Sequence, residues 1–138
     1  MLIVDASCIY ELVSGGAHAA QIRFRLDSDP DLAAPHLIDV EVLSTIRRDF
    51  LRGLLDDTAA MMAVNDLRDW PGTRLGHQPL LGRAWELRHN VRGWDAFYVA
   101  LAELLQATLL TRDGRLARAP GLRCPVEVID WPGRSNGR

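Results

Sequence analysis

Short apolar runs alternate along the chain with longer segments in which apolar residues recur at helical spacing. Compact β-rich runs predict strands, and apolar residues repeated every three or four positions predict helices. In one segment Ile38, Val42, Ile46 and Phe50 recur at intervals of four with Leu43 beside them, which predicts one buried stripe. The predicted strands are 1–4, 32–36, 73–75, 108–111 and 126–129, and the predicted helices are 8–13, 18–26, a helix from 38 onwards, 56–67, 80–88 and 94–106.

Strands that alternate with helices in this way predict an α/β sandwich, in which helices flank a mostly parallel central sheet. The 138 residues fit one compact domain with its own hydrophobic core. We find no internal repeat, low-complexity tract or linker, and therefore predict a single domain over residues 1–131. Residues 132–138 are polar and are predicted to form a C-terminal tail.

Composition narrows the range of mechanisms and compartments. The net charge is −2, so binding of nucleic acid would need a local basic patch. The sequence contains no lysine, which excludes any mechanism that needs one. Cys8 and Cys124 are too few for a disulfide framework and lack zinc-site spacing. The apolar run at the N-terminus is too short for a signal peptide, and no segment could cross a membrane, so we expect a cytoplasmic protein.

Acidic residues stand where predicted strands end or helices begin. Asp5 directly follows the first strand, and Asp113 comes two residues after Thr111, the last residue of the fourth strand. Asp95 lies in the first turn of an otherwise apolar helix, and Glu41 lies near the start of the helix that carries the apolar stripe. Because ligands bind beyond the carboxyl ends of parallel strands, we expect the four acids to converge at one edge of the sheet.

Converging carboxylates repel one another and therefore favour a bound cation. Two charges about 4 Å apart cost about 4 kcal/mol at an effective dielectric constant of 20. Oxygen ligands suit Mg²⁺ or Mn²⁺ better than zinc, and such ions promote phosphodiester hydrolysis. Each acid also has an ordinary explanation: Asp5 and Asp113 could cap helices or turns, Glu41 could lie on a solvated face, and Asp95 could complement a helix dipole.

Four local strings occur in a fixed order: IVDAS at 3–7, DVEVL at 39–43, WDAFYVALAE at 94–103 and LTRDGRL at 110–116. This ordered set resembles the PIN-domain ribonucleases, and in particular the VapC toxins of bacterial toxin–antitoxin systems. The resemblance extends over residues 1–129 and implies a PIN-like nuclease domain, a divalent metal, RNA cleavage, homodimers and a cognate antitoxin. It assigns the catalytic and metal-binding roles to Asp5, Glu41, Asp95 and Asp113.

The same resemblance suggests supporting residues around these acids. Ser7 and Thr111 match polar residues that support the site, and Ser7 could also cap the first helix. Arg112 and Arg115 flank the fourth acid and could either hold RNA phosphates or lie in a solvated turn. Trp94 stands where such toxins often carry tyrosine, and we expect it to pack as a large aromatic side chain.

The sequence therefore predicts a Mg²⁺-dependent ribonuclease toxin, in which Mn²⁺ could substitute, neutralised by its antitoxin. A receiver domain or a haloacid-dehalogenase-type phosphatase would need a lysine, and the phosphatase would need an aspartate where Ser7 stands. The remaining alternative is a PIN fold that binds RNA or a protein partner without cutting. The complete set of four acids argues against that alternative.

Overall fold

The computed structural model describes residues 1–129. Residues 130–138, which contain the end of the predicted domain and the predicted polar tail, lie outside the described residues. Strands and helices alternate along the described chain: β1 (Leu2–Val4), α1 (Ala6–Val13), α2 (Ala19–Asp27), β2 (Leu32–Pro35), α3 (Leu37–Leu51), α4 (Asp57–Asp69), β3 (Thr73–Leu75), α5 (Leu81–Glu86), α6 (Asp95–Leu104), β4 (Thr108–Thr111), α7 (Gly114–Ala117) and β5 (Val126–Val128). A 3-10 turn at Gln78–Leu80 leads directly into α5.

The five strands form one sheet in the order β3-β2-β1-β4-β5, and every neighbouring pair is parallel. Leu2 in the central strand pairs with Leu32 of β2 and Thr108 of β4. β1 is buried along its whole length, as its continuous apolar sequence requires. This arrangement confirms the predicted α/β fold and brings the carboxyl ends of β1, β2 and β4 to one edge of the sheet.

The predicted apolar stripe of α3 is correct only in its first three members. Ile38, Val42 and Ile46 are buried, but Leu43 and Phe50 are exposed and Asp49 is buried instead. A step of four residues turns about 40° beyond a full helical turn, so the stripe drifts by about 120° over three steps. Asp49 stays within about 20° of Ile38 around the helix, and its carboxylate accepts a hydrogen bond from Tyr10 of α1.

Helix α6 is buried in its middle and exposed at its ends. Its central residues Tyr98–Ala102 are buried, as the apolar sequence predicts. Leu104 at its end and Trp94 just before its start are both about 60% exposed. The Trp94 side chain, which we expected to pack as a large aromatic, is therefore mostly exposed to solvent. Over residues 1–129 the structure contains no helix with the length and apolar character needed to cross a membrane.

Candidate active site

Asp5 lies at the carboxyl end of β1, and its carboxyl is buried. Its backbone N–H donates to the Leu110 carbonyl of β4 at 2.9 Å, which fixes the residue against the neighbouring strand. The carboxylate accepts hydrogen bonds from Thr111 Oγ1 at 2.6 Å and from Ser7 Oγ at 3.0 Å. Burial raises the pKa of Asp5, and the two hydroxyl donors oppose this rise by stabilising its charged form.

The two hydroxyls also connect Asp5 to the segment between β4 and α7. Ser7 Oγ accepts from the Arg112 backbone N–H at 3.2 Å, and Thr111 Oγ1 accepts from the Asp113 backbone N–H at 3.0 Å. The expectation that Ser7 caps the first helix is wrong, because α1 begins before Ser7 and Asp5 occupies the cap position. Ser7 instead uses its hydroxyl to hold the Asp5 carboxylate.

Glu41 lies in the second turn of α3, near the carboxylates of Asp5 and Asp95. Burial raises the pKa of Glu41 to about 7, with smaller contributions from the charges of Asp5 and Asp95. The Tyr98 hydroxyl of α6 lies close enough to oppose this rise. However, Glu41 Oε1 and the Tyr98 hydroxyl are both buried, and neither makes a hydrogen bond of regular geometry to a described residue.

Asp95 and Asp113 line a small cleft of about 110 Å³ at the same edge of the sheet. Burial, assisted by the charges of Asp5 and Asp113, raises the pKa of Asp95 to about 6, and the charges of Arg92 and Arg115 oppose this rise. Asp113 caps α7, because its carboxylate accepts from the Arg115 backbone N–H at 2.9 Å. The capping explanation for Asp113 thus holds alongside its place in the acidic cluster.

The structure brings the four predicted acids into one electrostatically coupled cluster, although not into a ready-made metal site. Asp5 raises the pKa values of Glu41 and Asp95, and Asp113 raises those of Asp5 and Asp95. Within residues 1–129, no three His, Cys, Asp or Glu side chains already have the spacing of a metal centre. The donors nevertheless fit a hard cation, because they are carboxylates and Glu41 Oε1 is buried without a hydrogen-bond partner in the described chain.

Of the two arginines predicted beside the site, Arg112 is held within the protein. Its Nη1 donates to Glu11 Oε2 at 2.8 Å, and its Nη2 lies 3.1 Å from His18 Nδ1. Glu11 Oε1 also accepts from the His18 backbone N–H at 2.9 Å. The sequence analysis missed Glu11. A usable signal was Gly16, because a Cβ at that position would overlap the Glu11 carboxyl.

Arg115 and Arg92 differ from Arg112 because they are exposed to solvent and line the cleft. The Arg115 side chain is 76% exposed, and its Nε lies 3.6 Å from Asp113 Oδ1. Arg92 is exposed and lines the cleft with Asp95. The sequence analysis missed Arg92, although its position three residues before an acid in the predicted site was an available signal.

Comparisons with known proteins place this architecture in a family. The family model described as the PIN domain matches residues 2–122. Ribonuclease VapC1 of Mycobacterium tuberculosis strain H37Rv is 38% identical over 128 residues, which cover 92% of this chain and 96% of that protein. Two solved structures share the fold. The first is a chain of VapBC2 from Rickettsia felis bound to a DNA fragment from their promoter, with a TM-score of 0.65 and 15% identity over 94% of this chain and 98% of that one. The second is Mycobacterium tuberculosis VapC20, a Sarcin-Ricin loop cleaving toxin, with a TM-score of 0.66 and 20% identity over 88% of this chain and 96% of that one. This chain therefore belongs to the PIN-domain family, among its VapC ribonucleases.

Proposed function

We propose that this chain is a toxin that hydrolyses RNA phosphodiester bonds with Mg²⁺, for which Mn²⁺ can substitute. The observation that carries the proposal is the coupled cluster of four acids at the carboxyl edge of the sheet. Charged carboxylates repel each other there, and a divalent cation would remove that repulsion. The acids would have to move together to share one ion. The metal ligands in this proposal are Asp5, Glu41, Asp95 and Asp113.

The environments of the acids suggest different roles. When bound, a divalent metal polarises a phosphoryl oxygen and generates a nucleophilic water. Asp5 and Asp95 would bind it directly, with the hydroxyls of Ser7 and Thr111 keeping Asp5 charged and oriented. Glu41, whose pKa of about 7 lets it accept or release a proton near neutrality, would hold the metal or position its water.

Asp113 would act through a bound water or a second metal, because it already caps α7 and lies nearer the surface. We therefore expect Asp113→Asn to reduce cleavage less than Asp5→Asn does. A larger loss in Asp113→Asn would reverse this ranking of the ligands.

The partners in this proposal are a cognate antitoxin, RNA and a second copy of the chain. One protein with this fold was crystallised as a VapBC assembly on promoter DNA, and another is a toxin. An arginine or lysine of an antitoxin segment would suit a pocket rich in carboxylates and could displace its metal. Expression of this chain alone should arrest bacterial growth, and co-expression of the antitoxin or the Asp95→Ala change should relieve the arrest.

The decisive experiment is cleavage of a short end-labelled RNA with Mg²⁺, with Mn²⁺ and with chelator. A divalent metal held by the acids would supply an activated water, and direct attack of water on phosphorus would give products with a 5′-phosphate and a 3′-hydroxyl. Mass spectrometry or enzymatic ligation identifies these ends, and Asp5→Asn should abolish their appearance. Cyclic phosphate ends, or cleavage that survives chelator, would contradict the mechanism. RNA that is bound but uncut with either metal would indicate a catalytically silent PIN-fold binding module.

A further inference from the structure

We propose that Arg92 and Arg115 bind phosphate groups of the RNA backbone at the mouth of the cleft that contains Asp95 and Asp113. This inference rests on the proposed function, because it assigns the residues that hold the substrate of the same site. It also divides the arginines near the acids into two groups, since Arg112 is already paired with Glu11.

Each of the two arginines lies close in sequence to one of the acids of the cleft. Arg92 lies in the α5–α6 connection three residues before Asp95, and Arg115 lies in α7 two residues after Asp113. All four side chains line the same cleft of about 110 Å³. Both guanidinium groups lower the pKa of Asp95, which means that both lie near its carboxyl. A phosphate that approaches these acids therefore comes near two positively charged groups.

These two arginines are available to a ligand, unlike Arg112 or Arg83. Arg83 donates to Glu103 at 2.6 Å and to the Gly121 carbonyl at 2.8 Å, and Arg112 is tied to Glu11. By contrast, the guanidinium of Arg92 makes no hydrogen bond or ion pair with any residue from 1 to 129. Arg115 makes one exposed ion pair, and such a pair contributes little stability and is readily exchanged.

The chemistry of the guanidinium group identifies the ligand. Arginine presents a planar set of N–H donors that matches the oxygen atoms of a phosphate and binds them in pairs. The net charge of −2 gives the molecule no overall attraction for RNA, so backbone affinity must come from a local arrangement of this kind. Contacts to phosphate position a strand without reading its bases. The two arginines thus hold the backbone while the acids act on it.

The test is RNA binding by the full chain in chelator, where cleavage does not complicate the measurement. Fluorescence anisotropy with a short labelled single-stranded RNA gives Kd at several salt concentrations for Arg92→Gln, Arg115→Gln and the double variant. Arg88→Gln is the matched control, because Arg88 is also exposed but stacks on Trp85 and does not line the cleft. It removes the same unit of charge, so any difference reflects position.

Each single cleft variant should bind RNA about tenfold more weakly than the unchanged protein. The slope of the logarithm of its association constant against the logarithm of the salt concentration should fall in magnitude by about 0.7. The double variant should lose about 1.4 in slope, since each phosphate contact releases its own counterions. Arg92→Lys should keep the slope yet bind more weakly than the unchanged protein, because lysine retains the charge without the paired donors. Arg88→Gln should leave both Kd and slope nearly unchanged.

Cleft variants that match Arg88→Gln in Kd and slope would overturn this assignment, and so would an unchanged protein that does not bind RNA. Thermal melting of each variant checks that the fold is retained. The outcome is separable from that of the proposed function. RNA binding that depends on the arginines, without metal-dependent cleavage, would support the proposed phosphate contacts and contradict only the proposed nuclease activity. Metal-dependent cleavage that is unchanged in both arginine variants would support the nuclease and contradict the phosphate contacts.

Discussion

The hydroxyl of Thr111 serves two polar groups at once, so its loss should be costly. It donates to the Asp5 carboxylate at 2.6 Å and accepts from the Asp113 N–H at 3.0 Å. Thr111→Val keeps the shape of the side chain but leaves both partners short of a hydrogen bond in a buried site. We expect a loss of about 1–3 kcal/mol in the free energy of unfolding, measured by urea denaturation. Thr111→Ser keeps the hydroxyl and should lose less; equal losses would show that the methyl group contributes as much stability as the hydroxyl and would contradict this expectation.

The raised pKa of Glu41 predicts how stability depends on pH. Between its ordinary value of 4.5 and about 7, the folded metal-free protein keeps a proton that the unfolded chain releases. Stability therefore falls as pH rises through this range, and the penalty is complete above it. Glu41→Gln removes the penalty, which we expect to be on the order of 1–3 kcal/mol for a half-buried group.

In chelator, Glu41→Gln should therefore melt at a higher temperature than the unchanged protein near pH 8, and the gain should vanish near pH 4. Glu86→Gln, which alters an exposed carboxylate outside the cluster, is the control and should show no such trend. A gain of equal size at both pH values would mean that the amide packs better and that charge is not the cause.

The identity of the clustered acids could be predicted from the sequence, but their partners could not. Asp5 and Asp113 follow strands, and parallel strands bring their carboxyl ends together. By contrast, Glu11 contacts Arg112 across 101 positions of sequence, and the Tyr98 hydroxyl of α6 lies near Glu41 of α3. Such pairings depend on how helices are oriented on the sheet, and local periodicity carries no information about that.

Among the elements, the link between helix α1 and the β4–α7 connection supports the site from outside it. Glu11 and Arg112 form this link, and the Glu11 side chain is only 12% exposed. Replacing Arg112 with Met would remove the ion pair of the Glu11 carboxylate and leave it only its contacts with His18, which should cost about 2–4 kcal/mol of stability. It should also loosen the segment that carries Asp113.

A double-mutant cycle isolates the pair. Glu11→Gln in the Arg112→Met background should restore part of the lost stability, because the remaining side chain is neutral. Chemical denaturation of the four proteins gives the coupling energy, which we expect to be on the order of 1–3 kcal/mol. Strictly additive losses would contradict a direct interaction between Glu11 and Arg112.

The helices and strands could be predicted well where they are long or strongly apolar. Strands β3 and β4 have the predicted bounds, and α3 and α6 lie where their patterns place them. Two short elements, the 3-10 turn at Gln78–Leu80 and α7, were not predicted. Neither is long enough to show a period, and α7 depends on the Asp113 cap for its start. The order of the strands also could not be read from the sequence, since the non-consecutive pairing of β1 with β4 is set by packing.

For the whole molecule, the acidic cluster should lower the stability of the metal-free protein and allow a bound metal to restore it. Carboxylates kept close together destabilise the metal-free fold, and a ligand that binds only the folded state returns stability by mass action. At about 100 times its Kd, a metal adds about 2.7 kcal/mol to the free energy of unfolding. For a chain of this length, each kcal/mol raises Tm by about 2–8 °C.

Millimolar Mg²⁺ or Mn²⁺ should therefore raise Tm by several degrees relative to NaCl of equal ionic strength. The rise should be larger near pH 8 than near pH 6, because protons on Glu41 and Asp95, with pKa values of about 7 and 6, compete with the metal. Asp5→Asn should reduce the rise, whereas Asp69→Asn at an exposed position should preserve it. If both variants show the full rise, the cation is bound elsewhere, and if the unchanged protein shows none, the cluster is not a metal site.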